Sequence, residues 1–352
     1  MKVAVVGAGV MGCSTALALA ERGVDVVLVE RAVPGAEASS AAAGILGAQA
    51  ELHAREADAA LFVRARQAWA LWSLALRDAS RIDIGYRVCG ALRVGWTDEE
   101  ALSLEAEAAT HRRLGLRAAF CTAREAREIE PQLSSKIAAA LHFPDDGQVE
   151  PAALLRALTV LVARTPRIVL RVGSTVREIT VERDRCVGVL LDDGSVRADA
   201  TVLAAGSWSS LVPGVPAAIP AVRPVRGQIV LIDERPPSVQ SIVFGAGTYV
   251  VPRGDGRVVC GSTTENVGFR KEVTAEGVRA ILDGALANVP SLGAAQVVGM
   301  WSNFRPLAAG DVPLVGASPL EGLFLATGHY RNGILLAKVT ADAVASAVLS
   351  RP

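Results

Sequence analysis

Lys2-Val3-Ala4-Val5-Val6-Gly7-Ala8-Gly9-Val10-Met11-Gly12 stands at the start of the chain and decides its fold. The run up to Val6 is short, apolar and rich in valine, as a strand buried on both faces of a parallel sheet must be. Gly7, Gly9 and Gly12 then supply G-x-G-x-x-G. The first glycine permits a tight turn, the second lets a pyrophosphate approach the backbone, and the third lets a helix pack close to the strand. The helix start turns free N–H groups and the positive end of a dipole toward the phosphates. A second strand, Gly23-Val24-Asp25-Val26-Val27-Leu28-Val29-Glu30, follows the helix, and its terminal acid is placed to accept hydrogen bonds from a ribose. A signal peptide can open in the same way, with a basic residue, an apolar run and the small residues Ala18-Leu19-Ala20. Three glycines inside the run, and the strand and acid after it, argue against that reading. The stretch fits NAD and FAD equally.

Working outward, 352 residues with 51% hydrophobic and 20% charged side chains make a folded chain of one large or two intergrown domains. The formal net charge is zero, which gives no electrostatic case for nucleic acid or an anionic membrane. Glycines interrupt every apolar run before it reaches membrane-spanning length. Cys13, Cys89, Cys121, Cys186 and Cys260 are scattered and form no C-x-x-C, which suits a reducing cytoplasm. His53, His111, His142 and His329 show no H-x-x-x-H, so no metal is expected.

Beyond Glu30, Ser39 to Gly44 are small enough for backbone to approach a flat ligand, with Ser39 or Ser40 as a helix cap. Ala57 to Ser80 has helical periodicity, with Leu61, Ala65, Ala68, Trp69, Trp72 and Leu76 on one face; its tryptophans read as core. Strand texture covers Ile82 to Trp96. Asp98 to Leu114 is an exposed helix. Thr122-Ala123-Arg124-Glu125 reads as a capping box. A strand over Ala138 to Phe143 and a turn over Pro144 to Gly147 lead to a helix from Pro151 to Ala163. A small meander spans Ile168 to Val196. The buried strand Ala200 to Gly206 ends in small residues, as a strand ending at a cofactor should. Further strands are expected at Gly227–Ile232, 241–244, Thr248–Val251, Arg257–Cys260, Val297–Phe304 and 323–326, and helices at Ala275–Asn288 and from Asn332 to Leu349. The fold class is therefore α/β, α+β overall: a discontinuous Rossmann-like dinucleotide domain with a β-rich domain inserted in two pieces. Residues 1–80, 145–212 and 306–352 form the first and 81–144 and 213–305 the second, with the site at the seam.

Several of these segments line up together. They are Gly7 to Glu30, Ser39-Ser40-Ala41-Ala42-Ala43-Gly44, Ala204-Ala205-Gly206-Ser207-Trp208, Pro224-Val225-Arg226-Gly227-Gln228 and Tyr249-Val250-Val251-Pro252-Arg253. Arg305-Pro306 with Asp311 to Gly316, and Thr327 to Leu336, complete the set. Over nearly its full length the chain resembles the FAD-dependent D-amino-acid and amine oxidase family, whose FAD-binding domain is of the glutathione-reductase type. Ala42 to Glu51 and Gly328 to Leu336 resemble the glycine-oxidase branch, which serves thiamine (thiazole) biosynthesis. The resemblance implies noncovalent FAD, and no cysteine follows Cys260 to tether a flavin. It implies FAD contacts from Gly7, Gly9, Val10, Met11 and Gly12, from Glu30 and Arg31 at the ribose, and from Ala38, Ser39, Ala43, Gly44 and Ile45 along the pyrophosphate and ring. Val176 would hold the adenine. Ala205 and Gly206 would border the cofactor, and Gly328, His329, Tyr330, Arg331, Asn332, Gly333, Ile334 and Leu335 would run along the isoalloxazine.

The same resemblance makes Arg305 and Arg331 the groups that bind a substrate carboxylate, and a guanidinium suits that task because it can bind bidentately. Arg331 is the firmer assignment, one turn before the last helix. Tyr249 would add a hydroxyl or simply pack in the core. His329, without a nearby acid in sequence, reads as cofactor packing rather than a general base. The branch has histidine where this chain has Gly247 and methionine where it has Thr264, which implies a larger or more polar cavity. The expected activity is oxidative deamination of glycine, small amines or D-amino acids by O2, giving a 2-oxo acid, ammonia or amine, and hydrogen peroxide. A D-amino-acid or imino-acid dehydrogenase using a quinone is the alternative. A cytoplasmic homotetramer is the assembly that the resemblance implies.

Overall fold

The structure is a computed structural model that describes residues 1–52 and 56–350; His53 lies outside the described residues. The strand Lys2–Val6 sits inside a six-stranded sheet, with Val3 to Val6 buried. It pairs in parallel with Asp25–Glu30 on one side (Val3 opposite Val26) and with Ala200–Leu203 on the other (Val3 opposite Ala200). Ile168–Val172 extends the sheet beyond Asp25–Glu30, and Leu323–Thr327 extends it beyond Ala200–Leu203. Leu314–Ala317 closes that edge as an antiparallel strand.

The helix Val10–Glu21 is apolar on nearly all sides because it is covered on nearly all sides. Gly12 explains how it can lie so close to the sheet. A Cβ at that position would fall 1.7 Å from the Gly7 carbonyl oxygen, so any side chain there is excluded. Val10–Glu21 packs with the last helix, Gly333–Leu349, and with Glu56–Ser80 in one core. Trp69 is fully buried there and its indole N–H donates to the Leu335 carbonyl at 3.0 Å. Trp72 packs tilted against it, with ring centroids 4.6 Å apart. Both tryptophans are core residues.

The second large sheet has eight strands. In spatial order they are Gln296–Ala308, Val222–Asp233, Arg257–Gly261, Thr248–Pro252, Ile242–Gly245, Ala91–Gly95, Ala139–Phe143 and Ala119–Thr122. The helix Ala275–Asn288 packs on it through Ile281 and Ala285. Capping boxes start two helices, Thr122 with Glu125 and Thr97 with Glu100. Among the described residues, no helix is long and apolar enough to cross a membrane.

Five local expectations change. The meander expected over Ile168 to Val196 loses its first strand, because Ile168–Val172 pairs in parallel with Asp25–Glu30, and only Val176–Glu182, Arg185–Leu191 and Gly194–Arg197 form the small antiparallel sheet. The strand placed at Gly227–Ile232 begins at Val222 and takes in Pro224, which shares one rung with Pro306 and so confines the missing N–H donors to one place. Its partner continues past Phe304, so Arg305 lies within a strand rather than after one. Leu314–Ala317 was not expected as a strand, because a half-exposed four-residue edge carries little apolar signal. Neither Ser39 nor Ser40 caps its own helix. The helix there is the single turn Ala38–Ala41; Ser39 Oγ accepts from the Val10 N–H at 3.0 Å and Ser40 Oγ donates to the Gly35 carbonyl.

His329 ends up buried, its Nε2 3.0 Å from Thr340 Oγ1 on the last helix. Burial pushes its pKa down from 6.5 to about 3, so it stays neutral in the folded chain. The unfolded chain takes up this proton below 6.5 and the folded chain does not until about 3, so stability drains away as pH falls between those values. At pH 5 the loss should be about 2 kcal/mol, from 1.36 kcal/mol per pH unit. Urea unfolding at pH 7 and 5 should show wild type losing about that much more than His329→Gln. Equal losses would mean that His329 is not held neutral.

Candidate active site

The two large sheets meet around a cleft of about 370 Å³. One half is built by the nucleotide-type motif. Gly7, Gly9, Val10 and Met11 form its floor, and the first-turn N–H groups of the helix have no intrahelical acceptor. Glu30 stands at the strand end, its carboxylate fixed by the Ala8 N–H at 2.8 Å on Oε2 and the Ala32 N–H at 3.0 Å on Oε1. Each oxygen keeps a lone pair for a diol. Arg31 lies over the Trp208 ring, 4.0 Å from its centroid.

The other half carries the charges. Arg305 is half-buried in the strand Gln296–Ala308. Its guanidinium lies flat over Gly227, where a Cβ would come within 2.3 Å of it. Neutral acceptors hold it: the Thr263 carbonyl at 3.1 Å and Ser262 Oγ. No carboxylate pairs with it among the described residues. Burial pulls its pKa below the usual arginine value, and the neighbouring Arg331 pulls the same way. Arg331 differs. Its Nε lies 3.3 Å from Glu51 Oε2, and that carboxylate drives its pKa above the usual value. The pair leaves the Arg331 terminal nitrogens free of Glu51. Tyr249 is buried and borders the same space, its ring edge-on to Phe244 at 6.3 Å.

Glu51 is itself held from behind. Its loop is fixed by Asp146, fully buried, which accepts from the Gln49 and Ala50 N–H groups at 3.1 and 2.8 Å and pairs with Arg66 at 2.8 Å. Burial raises the Asp146 pKa. Arg253 ties the β-rich sheet to the opposite wall, donating to the Ala43 and Val149 carbonyls at 2.7 and 2.9 Å. Burial pushes its pKa down to about 10. No group of three or more His, Cys, Asp or Glu side chains is arranged to hold a metal among the described residues.

A family model described as FAD dependent oxidoreductase (DAO) matches residues 2–347. The chain belongs to this family. It is 35% identical to the glycine oxidase of Geobacillus kaustophilus over 98% of this chain and 92% of that protein. The crystal structure of that enzyme superposes with a TM-score of 0.93, covering 99% of this chain and 95% of the other. Glycine oxidase from Bacillus cereus superposes at 0.94 with 31% identity, over 100% and 95% of the two chains. The bifunctional protein ThiO/ThiG of Trichormus variabilis is 32% identical over 99% of this chain, which spans 53% of that longer protein.

Family membership makes FAD the dinucleotide that the glycine loop left open, and the residues present fit it. Gly7 and Gly9 leave the loop without side chains there, the helix start offers N–H groups for phosphate, and Glu30 is fixed at ribose height. At the far end, Gly333 and Ile334 of the last helix border the cleft with unsatisfied first-turn N–H groups, where bound FAD would gain a positive dipole end.

Most of the sequence-named residues border this one cleft: Ala38, Ser39, Ala43, Gly44, Ile45, Val176, Ala205, Gly206, His329, Tyr330, Arg331, Arg305 and Tyr249 among them. Four do not. Gly12 is sealed against Gly7, and Gly328 lies beneath Ala308. Asn332 caps the last helix, and Leu335 faces the core, where its carbonyl takes the Trp69 bond. The expectation that Gly247 and Thr264 shape the cavity is not met, since neither borders it. Gly247 sits in the turn before Thr248–Pro252, where an added Cβ would meet nothing within 4 Å. Sequence reading missed Glu51, Asn303, Ile229 and Gly227 as wall residues. Glu51 had a signal, since it ends a stretch already singled out.

Gly9→Val tests the cofactor half. Its Cβ would stand 3.0 Å from Ser39 Oγ, and its methyls would fill the floor. The variant should purify colourless; yellow, stoichiometrically loaded protein would refute the placement.

Proposed function

We propose that this chain oxidatively deaminates glycine and related small amino acids, with Arg305 as the principal anchor of the substrate carboxylate. The observation that carries this reading is the Arg305 charge: it borders the cleft and, among the described residues, is held by neutral acceptors and pairs with no acid. Such a guanidinium is poised for an incoming carboxylate. Arg331 contributes its terminal nitrogens, and Tyr249 a hydroxyl. The names of the similar proteins support glycine as the substrate and O2 rather than a quinone as the acceptor.

When bound noncovalently, FAD would be held by the glycine loop at Gly7 and Gly9 and by Glu30, and would supply a two-electron acceptor for the substrate Cα–H bond, with O2 as the final oxidant and hydrogen peroxide as its product. The protein's task is to place and charge the substrate. Arg305 and Arg331 fix the carboxylate end, which leaves the amine and Cα as the free end. The apolar wall, with Ile229, keeps bulk water from that end until the imine forms; water then hydrolyses it to the 2-oxo acid and ammonia. His329 takes no proton, because burial holds it neutral. The first turn of the last helix opposes a negative charge developing in the cleft. We assign the reaction to thiamine thiazole biosynthesis in a cytoplasmic homotetramer, as the sequence resemblance implies. The match to about half of a protein named ThiO/ThiG supports the pathway.

Two measurements test this. A panel of glycine, sarcosine, D-alanine and D-proline, mixed with yellow enzyme without oxygen, should bleach it, and glycine in air should yield peroxide. No bleaching by any of the four would end the proposal. Arg305→Ala should lower kcat/KM for glycine by roughly 30-fold or more, since loss of a desolvated charge pair costs about 2–5 kcal/mol. Arg331→Ala should fall as far, because it also leaves Glu51 unpaired beside the substrate carboxylate. Adding Glu51→Gln to Arg331→Ala should recover part of that loss. A double variant worse than the single one would reject this account of the pair.

A further inference from the structure

The segment from Glu265 to Thr274 belongs to the β-rich half, yet its tip lies against the nucleotide half. Its root is stiff. Arg226 exchanges backbone hydrogen bonds with Glu265 at 2.9 and 3.0 Å, pairs with the Glu265 and Glu272 carboxylates, and donates to the Arg270 carbonyl at 3.2 Å. Ser302 Oγ donates to the Lys271 carbonyl at 2.6 Å. The tip projects two side chains across the seam. Lys271 Nζ lies 2.7 Å from Glu37 Oε2, and Glu37 Oε1 in turn takes Arg31 at 2.9 Å. Phe269 packs on Trp208, ring centroids 5.1 Å apart, and edge-on to Phe304 at 5.5 Å. Arg31 lies over the same Trp208. Two chains of contact thus meet at Arg31, one ionic and one aromatic.

Arg31, Glu37 and Trp208 border the cleft, whereas Phe269 and Lys271 do not. The strap therefore lies outside three wall residues of the nucleotide half. Phe269 is 39% exposed, a large apolar ring at the surface that packs on Trp208 and Phe304. Among the described residues no hydrogen bond or ion pair joins Lys271, Glu37 or Arg31 to Arg305, whose partners are Ser262, Thr263 and the Arg226 carbonyl.

We propose that residues 265–274 act as a latch that retains FAD: Phe269 on Trp208 and Lys271 on Glu37 hold the outer wall of the nucleotide half shut. Release of the cofactor requires both contacts to open. The inference rests on the placement of FAD in this cleft. An exposed aromatic pair and an exposed ion pair are each modest, which suits a closure that must open for loading.

The test is the rate at which yellow holoenzyme releases FAD after dilution, followed by the rise in flavin fluorescence. Phe269→Ala and Lys271→Met should each release FAD about three- to tenfold faster, the scale of one aromatic or ionic contact. Both positions are at the surface, and unchanged circular dichroism will confirm folding. Raising salt from about 0.05 to about 0.5 M, which shortens the screening length severalfold, should speed release from wild type but not from Lys271→Met. Glu37 also holds Arg31, so Glu37→Gln added to Lys271→Met should accelerate release further, but by less than the product of the two single effects. Additive effects would mean that the lysine acts on FAD directly, and would overturn the latch. Wild-type release rates in both single variants, with Gly9→Val colourless, would overturn the latch and leave the cleft assignment standing. A yellow Gly9→Val would remove both.

Discussion

The contact between Gly12 and the Gly7 carbonyl is the constraint on which the rest depends. At the distance the backbone adopts there, no side chain of any size fits. The helix Val10–Glu21 is therefore drawn onto the first strand, and its N-terminus is brought to the end of the sheet where the strands Asp25–Glu30 and Ala200–Leu203 also finish. Everything that makes the cleft a nucleotide site follows from that closeness. The first-turn N–H groups, the fixed Glu30 and the small residues at Ala204 to Gly206 converge because one position lacks a Cβ.

The substrate half obeys a different logic. Two arginines of like charge share a small space, and among the described residues only Arg331 has an acid partner. Glu51 neutralises Arg331 and leaves Arg305 to carry the surplus charge. Glu51 can do this only because its loop is pinned by a buried carboxylate far away in sequence. Asp146 is connected through Gln49 and Ala50 to Glu51, and through Glu51 to Arg331. One uncompensated positive charge suits the carboxylate of a small amino acid.

How far the sequence could be read depends on how local each cause is. The glycine loop, the strand periods, the helix Ala275–Asn288 and the capping box at Thr122 are written within a dozen residues of themselves. The two arginines were found through resemblance, and the structure places both at the cleft. What escaped is long-range. Asp146 reads as a turn residue until the fold brings Arg66 and the Gln49 amide to it. Ser39 reads as a cap until Val10 is beside it. The edge strand Leu314–Ala317 exists because Leu323–Thr327 offers it a ladder, not because its residues alternate. Gly247 and Thr264 drew attention as departures, but neither borders the cleft, since position in a motif does not fix position in space.

The central place of the first strand has a consequence for how the protein is made. Lys2–Val6 pairs with residues near 200, whose far side pairs with Leu323–Thr327, and the first helix packs against Gly333–Leu349. Neither neighbour exists when Lys2–Val6 leaves the ribosome. At about 5–20 residues per second this strand waits on the order of tens of seconds for them. The nucleotide site cannot close during that time, although its glycine signature precedes these partners in the chain. Cofactor capture is therefore a late event that follows synthesis of Leu323–Thr327 and Gly333–Leu349, and the side of the first strand that faces Ala200–Leu203 spends that time as an apolar edge in need of cover.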